Sequence, residues 1–140
     1  MADYFTNFSL VIALPDGAAQ EYALELAGRA ERIRLEDEQS DGFPASLKGV
    51  VEDWCFETDA DSHSGKPGLW LRSSSGGIDA VCEFIRHLLG KFDPQGRVTF
   101  EWSNDCSKPR LDAYGGGAAI VTAHEIKTMN TGEWLDRHAA

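Results

Sequence analysis

VTFEWSNDCSKPRLDAYGGGAAIVTA, residues 98–123, is the stretch whose reading decides the fold. Residues 97–103, RVTFEWS, alternate apolar and polar side chains as a half-buried strand does. Residues 117–122, GAAIVT, read as a second strand, entered through Gly115, Gly116 and Gly117. Between the strands lie residues 103–117, a connection well beyond ordinary hairpin length, and long connections in small domains are often functional.

Working outward toward the N-terminus, Ile78, Val81, Cys82, Ile85, Leu88, Leu89 and Phe92 recur with the period of an amphipathic helix. Residues 73–77, SSSGG, supply its entry, and Gly90 is expected as its left-handed exit. Residues 68–73, GLWLRS, read as a strand. Across a turn cluster at 59–68, it is expected to pair with a strand over 50–58, VVEDWCFET. Alternation there would place Val50, Glu52, Trp54 and Phe56 on one face. Ala19, Tyr22, Ala23, Leu26, Ala30 and Ile33 mark a helix capped by Asp16 and ending near Arg34. Arg29, Arg32 and Arg34 suit the negative end of its dipole. Residues 35–44, LEDEQSDGFP, read as an exposed acidic loop, and residues 8–14, FSLVIAL, as a buried first strand. Toward the C-terminus, Thr122 and Glu125 have the spacing of a capping box, which predicts a short helix from Ala123. Trp134 and Leu135 are expected to dock as a last helical turn.

The resulting order is strand, helix, strand, strand, helix, strand, strand. It predicts an α+β fold on a ferredoxin-like βαββαβ plan with an added C-terminal strand, two helices covering one face of an antiparallel sheet. No repeat, low-complexity tract or linker divides residues 1–140, so one domain is expected.

The net charge is −10, and it is uneven: residues 16–61 carry 13 acids against four bases, or −9. Such a field repels a phosphate backbone and disfavours nucleic-acid binding, while it attracts a basic protein partner or serves solubility alone. No apolar run approaches the ~20 residues needed to span a bilayer. Three cysteines, Cys55, Cys82 and Cys106, stand far apart with no C-x-x-C pair, as expected of reduced thiols in a cytoplasm.

The chemistry-bearing residues gather in the long connection. Cys106, Ser107, Lys108, Arg110, Tyr114, Gly115, Gly116 and Gly117 form the candidate binding set. Lys108 and Arg110 beside three glycines suit a carboxylate or phosphate, since glycine amides can form an anion nest. Alternatively the cations pair with Asp105, Asp112 or Glu101, and the glycines only let the chain enter a crowded sheet. Cys106 would need His124 or His63 as a base to act as a nucleophile. Residues 73–77 offer a second anion cradle or a plain helix cap. Asp59, Asp61 and His63 only superficially resemble a calcium loop, and no spacing matches a zinc site, so neither a metal nor another cofactor is expected. Trp54, Trp70 and Trp102 fall on predicted strands, either as an aromatic core or as a recognition face.

Over residues 68–131 the chain resembles a family of small uncharacterised bacterial, phage and mobile-element proteins. Gly68-Leu69-Trp70, Phe100-Glu101-Trp102, Cys106-Ser107-Lys108-Pro109-Arg110 and Gly115-Gly116-Gly117-Ala118 with Val121-Thr122-Ala123 carry the resemblance. It implies an accessory setting, with a role against host defence as one natural reading, and assigns no catalytic residue. The expected function is therefore that of a non-catalytic binding protein, an inhibitor or adaptor, with a basic protein partner. The alternatives are a small-ligand module or enzyme at the glycine-rich connection, and a subunit that merely forms a homo-oligomer.

Overall fold

Arg97 faces Thr122 and Asn104 faces Gly115 in the antiparallel ladder joining β4 (Arg97–Cys106) to β5 (Gly115–Thr122). The computed structural model describes residues 3–61, 65–108 and 114–139. Around that ladder stand β1 (Tyr4–Ala13), β2 (Glu57–Asp61), β3 (Gly68–Ser73) and β6 (Ile126–Asn130), giving one antiparallel sheet in the order β2-β3-β1-β4-β5-β6. The helices are α1 (Gly17–Glu36), α2 (Ala45–Lys48), α3 (Ile78–Phe92) and α4 (Thr131–His138). The class is α+β.

Alternation along the strands selects the buried side. Phe8 and Ile12 of β1, Leu69 and Leu71 of β3, Phe100 of β4, and Ala119 and Val121 of β5 join one core with the buried stripes of α1 and α3. Ala19, Ala23, Ala27 and Ala30 bring α1 close to its neighbours, and α3 contributes Val81, Phe84, Ile85 and Leu88. Trp54, Phe56 and Phe84 form an aromatic cluster with centroids 5.0 to 6.0 Å apart. Each such pair is worth about 0.5–1.5 kcal/mol beyond its area.

β1 divides its partners along its length. Tyr4 to Asn7 register with Cys106 to Ser103 of β4, whereas Phe8 to Ala13 register with Ser73 to Gly68 of β3. From Ser9 to Ala13 no β4 residue is in register with β1, although β4 runs back alongside to Arg97. The sheet therefore has a seam.

Several boundaries differ from the sequence reading, each for a local reason. Residues 50–56 are not a strand: a 3-10 turn spans Val51–Asp53, and β2 begins only at Glu57. Val51 and Trp54, three apart, share the buried side of that turn while Glu52 stays exposed, which removes the conflict in the strand pattern. Gly90 is an interior residue of α3, and the helix ends at Phe92 because Asp93 precedes Pro94 and takes an extended φ of −154°. Thr122 and Glu125 do not start a helix. The Thr122 hydroxyl accepts from the amides of His124 and Glu125, closing the hairpin into β6. α1 runs to Glu36 and β1 begins at Tyr4, both longer than expected. α4 forms, capped by Asn130, but Trp134 and Leu135 remain half exposed and do not dock.

Candidate functional site

The β4–β5 connection is shorter than its sequence suggests. β4 continues to Cys106 and β5 starts at Gly115, so the connection is 107–114, of which 109–113, including Arg110 and Asp112, lie outside the described residues. Ser107 is tied to the N-terminal segment: its amide donates to the Asp3 carbonyl at 2.9 Å, and its hydroxyl accepts from the Asp3 amide at 2.8 Å. Cys106 faces Tyr4 across the ladder, and Lys108 and Tyr114 are exposed. No carboxylate lies within ion-pair distance of Lys108 among the described residues.

The three glycines are strand residues whose surroundings require them. Gly115 adopts φ +144°, with the Thr131 hydroxyl 2.8 Å from where a Cβ would stand. The Gly116 amide donates to that hydroxyl at 3.1 Å. A Cβ at Gly116 would overlap the Trp102 carbonyl oxygen. One at Gly117 would overlap the Trp102 indole, which lies across the ladder over this residue, and the Met129 carbonyl oxygen. These contacts match the crowded-sheet reading of the glycines, and the Gly116 amide is already committed.

The cysteine–histidine pairing expected as one option is not assembled with His124. That residue follows the Thr122 end of β5, while Cys106 is at the opposite end of β4, on the order of 30 Å away at ~3.3 Å per strand residue. His63 lies outside the described residues. His87 accepts or donates at 2.7 Å with the Tyr22 hydroxyl, between α1 and α3. Burial, assisted by Lys91, lowers the pKa of His87, and burial raises that of Tyr22. These shifts favour a neutral imidazole accepting from a neutral phenol. Burial pushes the Cys82 thiol up to about 12, with Asp79 and Glu83 adding to it, and burial and Asp53 also raise that of Cys55. Neither sulfur is set up as a nucleophile. Among the described residues no three His, Cys, Asp or Glu side chains gather as a metal site.

The second cradle, residues 73–77, leads into α3 through Gly77, which makes no side-chain cap bond, and the cap comes from elsewhere. The Asp53 carboxylate reaches across to accept from the Ala80 amide in the first turn of α3, at 3.2 Å. Ser73 donates to the Cys55 carbonyl and accepts from the Ser75 amide. An anion arriving there would meet a carboxylate already in place.

Two surfaces remain. The first surrounds the C-terminal end of α1. Its arginines are spent on the protein itself: Arg29 pairs with Glu38 and donates to the carbonyls of Gln39 and Asp41, and Arg32 pairs with Glu25 and Glu38. Arg34 donates to the Trp54 carbonyl at 2.8 Å. Glu31, Glu36, Asp37 and Asp41 are exposed and without an ion pair among the described residues, as are Glu21 and Glu52 farther along. Asp37 caps the helix in the left-handed region, φ 52°, so Glu36, Asp37 and Glu38 crowd the negative end of the helix dipole.

The second surface is the outward face of the sheet. Phe5, Val11, Trp70, Ile120 and Met129 are exposed there, Trp70 beneath the Arg72 guanidinium at 3.8 Å and bonded to Ser9. Arg72 is also held by Glu57 and Asp59. The tryptophans thus divide: Trp54 is buried, Trp102 is half buried against Phe100 and Gly117, and Trp70 faces out. The sequence signal for this face was the strand alternation itself, with Val11 and Trp70 out of phase with the core positions.

No family model matches the chain, and neither curated proteins nor solved structures provide a match. No helix among the described residues is long and apolar enough to cross a membrane.

Proposed function

We propose that this chain is a non-catalytic binding protein of the cytoplasm that docks a basic protein partner through the acidic surface at the end of α1. The carrying observation is the placement of Glu31, Glu36, Asp37 and Asp41, exposed and unpaired among the described residues beside arginines that serve internal contacts. Of these, Glu36 and Asp37 stand at the negative end of the helix, where an acid costs roughly 0.3–1 kcal/mol, so local stability does not account for them. A cationic surface would offset that cost and be steered toward it. The resemblance to mobile-element proteins supports an inhibitor or adaptor role, with counter-defence as its setting. The fold reading that accompanies this is a ferredoxin-like unit, strands β2-β3-β1-β4, extended by the β5–β6 hairpin.

An anion site at the β4–β5 connection is the alternative, favoured by the exposed Lys108 without a carboxylate partner among the described residues. The engaged amide of Gly116 weakens it.

The test is affinity capture from a native cytoplasmic extract at low and at about 0.5 M salt, where the Debye length is well under 10 Å. It uses the unchanged chain and a Glu31→Lys/Glu36→Lys/Asp41→Lys variant. A partner retained at low salt, released at high salt and lost with the variant is the expected result. No partner, or one indifferent to both salt and the substitutions, overturns the proposal.

A further inference from the structure

Where β1 and β4 lose register, the seam widens into a cavity of about 300 Å³. Its walls are Val11 to Pro15 on one side and Arg97 and Val98 on the other, with Ile85, Leu88, Leu89 and Phe92 of α3 closing it above. It lies at the end of the sheet opposite the β4–β5 connection, and it is independent of the acidic surface. Well-packed interiors hold few voids larger than a water molecule, and 300 Å³ is at the lower end of the range of small-molecule pockets.

The lining is apolar except for two charged side chains, Asp93 and Arg97. The Asp93 carboxylate folds back over Gly96, where it occupies the place a Cβ would take. Arg97 is exposed, and no carboxylate lies within ion-pair distance of it among the described residues. Arg97 thus lines, at the end of β4, a cavity whose other walls are mostly apolar.

We infer that this seam cavity binds a small amphipathic carboxylate, its hydrocarbon body lying between Ile12, Leu88, Leu89 and Phe92 and its head group paired with Arg97. A planar guanidinium receives a carboxylate through two parallel hydrogen bonds, and the chamber excludes water from the apolar tail. A ligand of this shape fills space that neither strand nor helix fills. A primary amine of the same length would bury the same tail but bring its ammonium to Arg97, with the Asp93 carboxylate folded away over Gly96.

Titration calorimetry and amide-resolved NMR with decanoate, decylamine and decanol, each kept below its micelle concentration or solubility limit, test this. Decanoate should bind with shifts confined to β1, β4 and α3, at least about tenfold more tightly than decanol, as one charge-assisted pair implies. Decylamine should bind more weakly than decanol. Arg97→Gln should reduce decanoate affinity to that of decanol, and Ala13→Phe, at an exposed position on the rim, should abolish binding of all three. Native amide dispersion in each variant separates loss of the site from loss of the fold. No decanoate binding, equal affinity for the three ligands, or Arg97→Gln without effect overturns the assignment.

Discussion

Single residues in this chain are held by contacts that their types alone do not announce. Gly117 and Gly90 look alike in the sequence and sit in opposite situations. A methyl group at Gly117 would enter the Trp102 indole and the Met129 carbonyl, and neither the strand backbone nor a packed indole can move away freely. Gly117→Ala should therefore cost about 1–3 kcal/mol, the usual range for overpacking, measured as a lower urea midpoint at unchanged slope. Gly90 has open space around it and lies within α3. Gly90→Ala should raise stability by about 0.5–1 kcal/mol, by helix propensity and a less flexible unfolded chain. His87 provides a pH test at the same scale. Its folded pKa lies below the unfolded value of about 6.5, because burial and Lys91 disfavour the imidazolium. The unfolded chain then binds the proton first, so the His87 contribution is full above pH ~6.5 and falls away as pH drops through the folded value. Urea midpoints of the unchanged chain and of His87→Gln should converge between about pH 7.5 and 5. A gap that stays constant, or one that widens on acidification, would contradict this sign.

Elements differ in how plainly the sequence declares them, and the difference follows their packing. α3 is legible because one face of it meets the core over its whole length, so burial writes the helical period directly into the residues. Residues 50–56 mislead because a 3-10 turn and an extended approach place Val51, Trp54 and Phe56 inward at mixed spacings that mimic a strand. Thr122 and Glu125 mislead because one hydroxyl chemistry serves both helix caps and tight turns, and only the pairing of β6 with β5 decides between them. In the sequence the β4–β5 connection stood out as a concentration of polar types, and the acidic surface as an unbalanced run of acids. The packing of the connection's glycines was not, since it depends on Trp102 across one ladder, on Met129 in β6 across the other, and on Thr131 just beyond β6. The cap of α3 is likewise non-local, because Asp53 reaches Ala80 from outside the helix. Asp53→Ala should destabilise by about 1 kcal/mol, as loss of an N-terminal cap does. In contrast, Trp134→Ala with Leu135→Ala should change stability by less than about 0.5 kcal/mol, because both side chains are half exposed. Chemical denaturation of the two variants side by side distinguishes a working cap from an unanchored helix.

The whole molecule carries its charge excess on one third of the chain, and that has a thermodynamic consequence separate from any partner. The ion pairs of Arg29, Arg32 and Arg72 lie at the surface, where such pairs contribute little and weaken with salt. Against them stands a net charge of −10, whose self-repulsion salt also screens. With weak surface pairs set against an excess of ten charges, Tm should rise by several degrees between about 20 mM and 0.5 M sodium chloride. The Glu31→Lys/Glu36→Lys/Asp41→Lys variant should melt higher at low salt and show a flatter salt response. It relieves repulsion at the negative end of α1 and adds cations where the dipole favours them. A Tm that falls with salt would mean that the pairs outweigh the excess, and the acidic surface would then be part of the scaffold's own stability. If the variant is both more stable and unable to retain the basic partner, the acids are held at an energetic cost to the fold, and binding is what that cost supports.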